Sequence, residues 1–202
     1  MTLEFLLTSL IVVIAPGTGV VFTLACALSG GRNAALASAI GGTLGTLPPM
    51  FAGLLGLAAV LETSPALFNA LKYAGALYLV YLAWMTLRDR SSLRVGHEDT
   101  SSFWQIVWRG VFINILNPKL SMFFLAFLPQ FVDPAQPGAT LQMFRLGMVF
   151  TLMTLIVFLI YGFAATLARK RIIERPAAMT GMRYCFAASF LGLGAKLLFA
   201  TV

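Results

Sequence analysis

Six stretches of the chain are each long and apolar enough to cross a lipid bilayer as a helix. A membrane-spanning helix needs about 20 predominantly apolar residues, and the polar links between these stretches are short. Charged residues make up 10% of the chain, against about 25% in soluble globular domains. We therefore predict an all-α membrane protein that forms one transmembrane domain, residues 1–202, within the lipid bilayer. The predicted spans are Phe5–Leu28, Ala34–Val60, Ala66–Leu87, Trp104–Pro129, Gln142–Ala168 and Met182–Ala200.

Basic residues are concentrated in the links that follow the first, third and fifth predicted spans. The positive-inside rule places such links in the cytoplasm, so both termini are predicted to be external and the link 88–102 to be cytoplasmic. The net charge of +7 is then an orientation signal, and it does not indicate a nucleic-acid partner. Ten of the fourteen Lys and Arg residues lie on this side: Arg32, Arg88, Arg90, Arg94, Arg109, Arg169, Lys170, Arg171, Arg175 and Arg183.

The two halves of the chain, 1–90 and 103–202, show weak similarity at corresponding positions. The first span of each half has one proline near its centre, Pro16 and Pro118, and the last spans contain L-K-Y-A-G-A and M-R-Y-C-F-A. Inverted repeats with interrupted helices at matching positions are typical of secondary transporters. We predict two inverted three-helix repeats in which helices 1 and 4 are interrupted at these prolines. A simple packing kink is the alternative for each proline.

The predicted breaks have a specific chemistry, because proline has no backbone N–H. Pro16 frees the carbonyl of Val12, and Pro118 frees that of Asn114 in the same way. The half-helix after each break begins with unpaired N–H groups at its positive dipole end, an arrangement that binds anions such as a carboxylate. The substrate-binding residues predicted from this pattern are Pro16, Gly17, Thr18, Asn114, Asn117, Pro118 and Lys119.

Lys119 is a charged residue near the middle of the fourth predicted span. It lies about fifteen residues from one end of that span and ten from the other. A charge at such depth is costly and usually functional, so we predict that its ammonium binds substrate. Lys119 is also our candidate for proton coupling, since its amine can release and regain a proton. The alternative is a structural lysine paired with freed carbonyls and with Asn117.

The second predicted span contains a third irregular segment, G-G-T-L-G-T-L-P-P, in which Pro48 and Pro49 would free the carbonyls of Leu44 and Gly45. Glycines four residues apart favour close packing of membrane helices, and we prefer that interpretation for the glycines here. The polar face beside them is a candidate wall of a transport pathway. The candidates for pathway or helix packing are Gly41, Gly42, Gly45, Thr46 and Pro48.

Several classes of site are disfavoured by what the spans lack. No Asp or Glu falls near the middle of a predicted span, and His97, the single histidine, falls in the link 88–102. Metal sites need clustered carboxylate, His or Cys ligands, so we predict no metal. Cys26 and Cys185 lie within spans and are interpreted as packing residues. No nucleophile–base set, phosphate loop or cofactor motif occurs, so neither an enzyme nor a cofactor is predicted.

Five motifs, in order along essentially the whole chain, resemble those of the LysE/RhtB family of amino-acid exporters, in particular the homoserine/threonine exporter type. The resemblance implies six helices, export of amino acids from the bacterial cytoplasm across the inner membrane, and energy from the proton motive force. The motifs are A-P-G at 15–17, G-G-x-x-G at 41–45, K-Y-A-G-A-L-Y-L-V-Y-L at 72–82, N-P-K at 117–119 and F-F-L-A-F-L-P-Q-F-V at 123–132.

Two positions depart from the pattern of this family. Thr18 stands where family members commonly have the second proline of P-G-P, and Thr46 stands where some members have an acidic residue. Because Thr18 has a backbone N–H, the first departure makes the predicted helix break after Gly17 less pronounced. The second argues against a proton-coupling scheme taken from acidic members, and against a dibasic substrate.

The resulting prediction is an exporter of small neutral amino acids or their derivatives. The substrate carboxylate would meet the helix start at Gly17–Thr18 and the ammonium of Lys119. The substrate ammonium would bond the freed carbonyls of Val12 and Asn114 and nearby amide oxygens. Two alternatives stay open, an exporter of another small anionic metabolite and a non-transporting membrane scaffold, and the sequence is compatible with a homo-oligomer.

Overall fold

All regular structure in the described part of the chain is helical. The computed structural model describes residues 2–15, 17–63, 101–133 and 136–173. It also describes helical residues at 73, 76, 77, 80, 81, 83, 84, 87, 88, 184, 187, 188, 191, 192 and 195. Most of the third and sixth predicted spans, most of the link 88–102, and Pro16 lie outside the described residues.

The described helices correspond to the first, second, fourth and fifth predicted spans. Thr2 caps the first helix by accepting from the Phe5 N–H at 3.3 Å, and Ser102 with Gln105 forms a reciprocal capping box at the start of the fourth. The helices are α1 (Leu3–Ile14), α2 (Thr18–Leu44), α3 (Leu47–Thr63), α4 (Phe103–Ile115), α5 (Pro118–Met122) and α6 (Ala139–Ile173). After α5 the chain continues as a π-helix, Phe123–Phe127, and a 3₁₀-helix, Leu128–Phe131.

Helix α2 is divided at Gly31, whose φ of 69° is not helical. Glycine adopts this left-handed conformation without a Cβ penalty. Val20 packs in one cluster with Ala39, and Ala27 packs in another with Ala35. The members of each pair lie on either side of Gly31, so α2 consists of two antiparallel helices. The turn falls in the predicted link between the first two spans.

Helix breaks occur at both of the predicted positions and at a third. α1 ends at Ile14 and α2 begins at Thr18, while α4 ends at Ile115 and α5 begins at Pro118. The stretch from α5 to Phe131 is bent by 52° relative to α4. These two interruptions agree with the predicted helix breaks.

The third break lies within the irregular segment that we predicted, residues 41–49. We expected Pro48 and Pro49 to free the carbonyls of Leu44 and Gly45. The helix ends at Leu44, and both prolines lie in the first turn of α3, as Pro118 does in α5. A proline fits the first turn because the N–H there has no intrahelical partner. The prolines therefore begin α3, and the interruption lies at Gly45 and Thr46.

Large apolar side chains cover the outer surface of the helices. On α4 they recur every four residues, and α6 carries a similar ridge. By length and composition alone, without regard to the turn at Gly31, Thr18–Leu55 and Ala139–Leu167 are sufficient to cross a membrane, and the bent pair Phe103–Ile115 with Lys119–Phe131 is a third candidate. Such exposed apolar ridges suit lipid as the solvent. The ridge residues are Trp104, Trp108, Phe112 and Leu116 on and just after α4, and Met148, Leu152, Ile156 and Ile160 on α6.

The described bundle has two distinguishable ends. At one end, Phe5 of α1 packs edge-on against Phe131, with ring centroids 5.4 Å apart. At the other end, Ala165 of α6 packs against Ala27, close to the Gly31 turn. The breaks at 15–17 and 116–117 lie between these ends, in the interior of the bundle.

Candidate functional site

Lys119 is buried at the junction of the two predicted breaks, with 6% of its surface exposed. Its Nζ donates to the carbonyl oxygen of Val12 at 3.1 Å and to that of Ala15 at 2.9 Å. The last carbonyls of a helix have no intrahelical donor, and a cation there is favoured by the helix dipole. The ammonium therefore satisfies the end of α1, and the Val12 carbonyl expected to be free has a partner. These contacts are those of the alternative that we gave for Lys119, a lysine paired with freed carbonyls.

Tyr161 of α6 bonds the same helix end. Its hydroxyl donates to the carbonyl of Ile14 at 3.0 Å. Sequence reasoning missed this residue, because the bond joins positions 147 residues apart. The available signal was a tyrosine hydroxyl within an apolar span, since such a group usually has a hydrogen-bond partner.

Two asparagines organise the second break. The Asn117 side-chain oxygen accepts from the Lys119 backbone N–H at 3.1 Å and so caps α5. The Asn117 side-chain amide donates to Asn114 Oδ1 at 3.2 Å, and the Asn114 amide donates to the carbonyl of Gly42 at 2.7 Å. The Asn114 carbonyl, which we expected to be free, accepts from the Asn117 N–H at 3.2 Å.

Glycines allow the start of α2 to approach these polar groups. A Cβ at Gly17 would lie 2.9 Å from Lys119 Nζ, and one at Gly19 would lie 2.5 Å from Asn114 Oδ1. Gly17 is the N-cap of α2 and forms no side-chain cap. The positive end of this helix thus lies beside the Lys119 ammonium, whereas the Thr18 side chain is exposed.

A small cavity lies where these groups meet. Its volume is about 10 Å³, which is the lower limit for one water molecule and far less than an amino acid occupies. We call the site closed in this structure, in the sense that it has no room for an amino acid. Its polar lining includes Asn114, Asn117, Lys119 and Thr154, and its apolar lining includes Val12, Phe150 and Phe158.

Sequence comparison identifies the family. The sequence profile described as LysE type translocator matches residues 10–201, which include both breaks. The chain belongs to the LysE type translocators. It is accordingly a membrane transporter and not an enzyme.

Curated bacterial relatives of this translocator match over nearly their whole length. An uncharacterized membrane protein of Vibrio cholerae is 33% identical over 95% of this chain and 93% of its own. An uncharacterized membrane protein of Pseudomonas aeruginosa is 32% identical over 98% and 94%. The homoserine/homoserine lactone efflux protein of Salmonella typhimurium is 31% identical over 96% and 93%. No solved structure matches the chain.

The predicted wall residues of the translocator occupy different surroundings. A Cβ at Gly41 would meet the Val107 carbonyl, and one at Gly45 would lie 2.6 Å from the Val111 carbonyl, so both glycines allow close packing on α4. Gly42 is next to the site, because its carbonyl bonds Asn114.

Thr46 and Pro48 are set apart from that packing surface. The Thr46 hydroxyl donates to the Thr43 carbonyl at 2.7 Å and lies 3.1 Å from the hydroxyl of Thr151. Thr46 therefore links the third break to α6. Pro48 is exposed, and its side chain does not line the cavity around Lys119.

Proposed function

We propose that this translocator is a secondary transporter that exports small neutral amino acids or their derivatives, of the homoserine or threonine kind, from the cytoplasm. The observation that carries the proposal is the buried Lys119 ammonium, held by backbone carbonyls at a helix break and surrounded by amide groups. The efflux protein named for homoserine in Salmonella typhimurium supports the substrate class. Among the described residues, no carboxylate lines the cavity, which disfavours lysine and arginine as substrates.

A zwitterion matches the contacts that Lys119 makes in the closed site. The substrate carboxylate accepts from the Lys119 ammonium beside the start of α2 at Gly17. The carbonyls of Val12 and Ala15, which Lys119 then releases, accept from the substrate ammonium. Every charged and polar group that loses a partner gains another, so the exchange avoids leaving buried groups unpaired.

Alternating access requires the site to open toward each side in turn. We propose six spans in two inverted three-helix repeats, 1–90 and 103–202, with one repeat rocking against the other. The helix breaks near the middle of the described bundle support this arrangement. Release and uptake of a proton by the Lys119 amine would couple transport to the proton motive force.

The orientation that we propose places both termini outside the bacterial inner membrane. Phe5 and Phe131 contact each other at one end of the bundle. Arg32 follows the Gly31 turn at the other end, where Arg109 donates to Ser101 at 2.9 Å. The basic end of the described bundle is thus opposite the N-terminus, as a cytoplasmic basic face requires.

Uptake into inverted membrane vesicles tests the function. With an imposed proton gradient, vesicles that contain the protein should accumulate homoserine and threonine above the level of vesicles that lack it, and should not accumulate lysine. Vesicles containing the Lys119→Gln variant provide the matched control. Accumulation of small organic anions without any amino acid would favour the alternative substrate class, which the positive site also suits. No accumulation of either class would reject the transport proposal.

A further inference from the structure

Buried hydroxyl groups without hydrogen-bond partners occur close to the Lys119 cavity. Ser9 in α1 and Thr23 in α2 have no exposed surface, and within the described residues neither Ser9 Oγ nor Thr23 Oγ1 has a partner. The third such oxygen, that of Thr43, follows Gly42, whose carbonyl bonds Asn114. An unpaired hydroxyl in an apolar interior is destabilising, so a state of the protein that gives these groups partners would be favoured by them.

Other hydroxyls in the same bundle do find partners in their own helices. Ser38 donates to the Ala35 carbonyl at 3.0 Å, and Thr154 donates to the Phe150 carbonyl at 2.9 Å. Bonds of this kind are the usual solution for Ser and Thr within a helix. Ser9 and Thr23 also lie within helices but do not make this bond, so their hydroxyls remain available to an external partner.

The two hydroxyls lie on the helix faces that line the cavity. Ser9 precedes Val13 by four residues, and Thr23 follows Gly19 by four; Val13 and Gly19 both line the cavity. Residues four apart on a helix share one face and are separated by about one turn, or 5.4 Å. Each hydroxyl is therefore about one turn from the closed site.

Ser9 and Thr23 lie on opposite sides of that site. From Ser9, α1 leads to the end of the bundle where Phe5 contacts Phe131. From Thr23, the first half of α2 leads to the Gly31 turn at the other end. The order Ser9, Lys119 cavity, Thr23 therefore follows the axis along which a substrate would cross.

We propose that Ser9 and Thr23 line the substrate pathway on the two sides of Lys119. Each becomes hydrated when the site opens toward its own end of the bundle, and each then exchanges water for the polar groups of a passing zwitterion. The proposal rests on the transport function proposed above, and it assigns the pathway to the cavity-lining faces of α1 and α2.

Cysteine accessibility tests the placement. Ser9→Cys and Thr23→Cys are made in full-length protein in which Cys26 and Cys185 are replaced by alanine. A membrane-impermeant methanethiosulfonate reagent is then applied to right-side-out and to inverted vesicles. We expect the two cysteines to react from opposite faces. The matched controls are Ala126→Cys and Ala37→Cys, whose side chains are equally buried, at 2% and 0% exposure, but pack between helices; they should react from neither face.

Variants without the hydroxyl separate a pathway role from a structural one. Ser9→Ala and Thr23→Val remove the unpaired hydroxyl and keep the rest of the buried side chain, so the melting temperature should be unchanged or raised, because nothing loses a partner. For a pathway residue, the same change should lower transport several-fold. Ser29→Ala serves as control, since the Ser29 hydroxyl bonds the carbonyls of Ala25 and Cys26, and its loss should not lower transport.

The outcomes distinguish this proposal from the function on which it rests. Unreactive cysteines together with normal transport by Ser9→Ala and Thr23→Val would overturn the pathway while leaving the exporter intact. Reaction of both cysteines from the same face would also overturn it. Reaction from opposite faces in a protein that accumulates no amino acid would retain the pathway and reject the substrate class.

Discussion

The break in the first span and the break in the fourth differ in where their backbone groups find partners. At the first, the carbonyls of Val12 and Ala15 accept from Lys119, and that of Ile14 accepts from Tyr161. These donors lie more than one hundred residues away along the chain. At the second break, Asn117 caps α5 with its side chain and bonds the Asn114 carbonyl with its own N–H.

This difference indicates which break responds to the rest of the molecule. The backbone groups of the second break are paired by residues within a few positions of one another, so its backbone keeps its shape when neighbouring helices shift, although Asn114 also donates to Gly42 of α2. The first depends on donors from α5 and α6, so any movement of those helices releases its carbonyls. We infer that the first break changes its bonds during transport and that the second carries Lys119 to it as a preformed unit.

Replacing Lys119 should have the largest effect, because it removes the main donor of the first break. Lys119→Gln should abolish export, since two buried carbonyls lose a charged donor at a cost of about 1–3 kcal/mol each and the substrate carboxylate loses its partner. Lys119→Arg should retain partial binding, because the charge persists while the shape of the donor differs. The measurements are uptake into inverted vesicles and substrate binding to the purified protein.

The same pair of variants tests proton coupling. A guanidinium does not release its proton. Lys119→Arg should therefore exchange substrate across the membrane but fail to accumulate substrate when a proton gradient is imposed. Proton-driven accumulation by Lys119→Gln at the wild-type rate would show that Lys119 is a structural residue. The first break would then lose its proposed role.

The two central prolines provide the next test. Pro16→Ala restores an N–H that can bond the Val12 carbonyl within a continuous helix, in competition with Lys119. We expect transport to fall at least several-fold. Pro118→Ala should reduce transport less, because Asn117 still caps α5. Membrane insertion, measured by the amount of folded protein in the membrane fraction, should be normal for both. Equal transport by the two variants and the wild type would make both prolines simple kinks.

Those features of the breaks that depend on local backbone chemistry could be predicted from the sequence. A proline without an N–H ends or bends a helix wherever it falls within one, and the interruptions occur at the expected places. The break lies just before the proline at both Pro48 and Pro118, because a proline is suited to the first turn of a helix. The depth of Lys119 within the fourth span could likewise be predicted, since it depends only on the number of residues between Lys119 and the ends of that span.

The partners of the freed groups could be predicted only in part, because they come from distant segments. Pairing of Lys119 with freed carbonyls and with Asn117 was our alternative for this residue, and the structure shows contacts of that kind. The carbonyl of Val12 was expected to bind substrate, but in the closed structure it accepts from Lys119. Nothing local to Ile14 indicates that a tyrosine in α6 would reach it. Similarly, Gly19 has no signal in the sequence beyond its size, although a side chain there would collide with Asn114.

Tyr161 offers the smallest and most specific test of the contrast between the breaks. Tyr161→Phe keeps the ring and removes only the donor to the Ile14 carbonyl, so stability should fall by about 1 kcal/mol, equivalent to about 2–4 °C in melting temperature. Because Lys119 still holds Val12 and Ala15, transport should be reduced but not lost. Tyr184→Phe is the matched control, since that tyrosine is 66% exposed and its hydroxyl should contribute little. If Tyr161→Phe lowers the melting temperature no more than Tyr184→Phe does, α6 does not support the first break, and Lys119 alone links it to the second half of the chain.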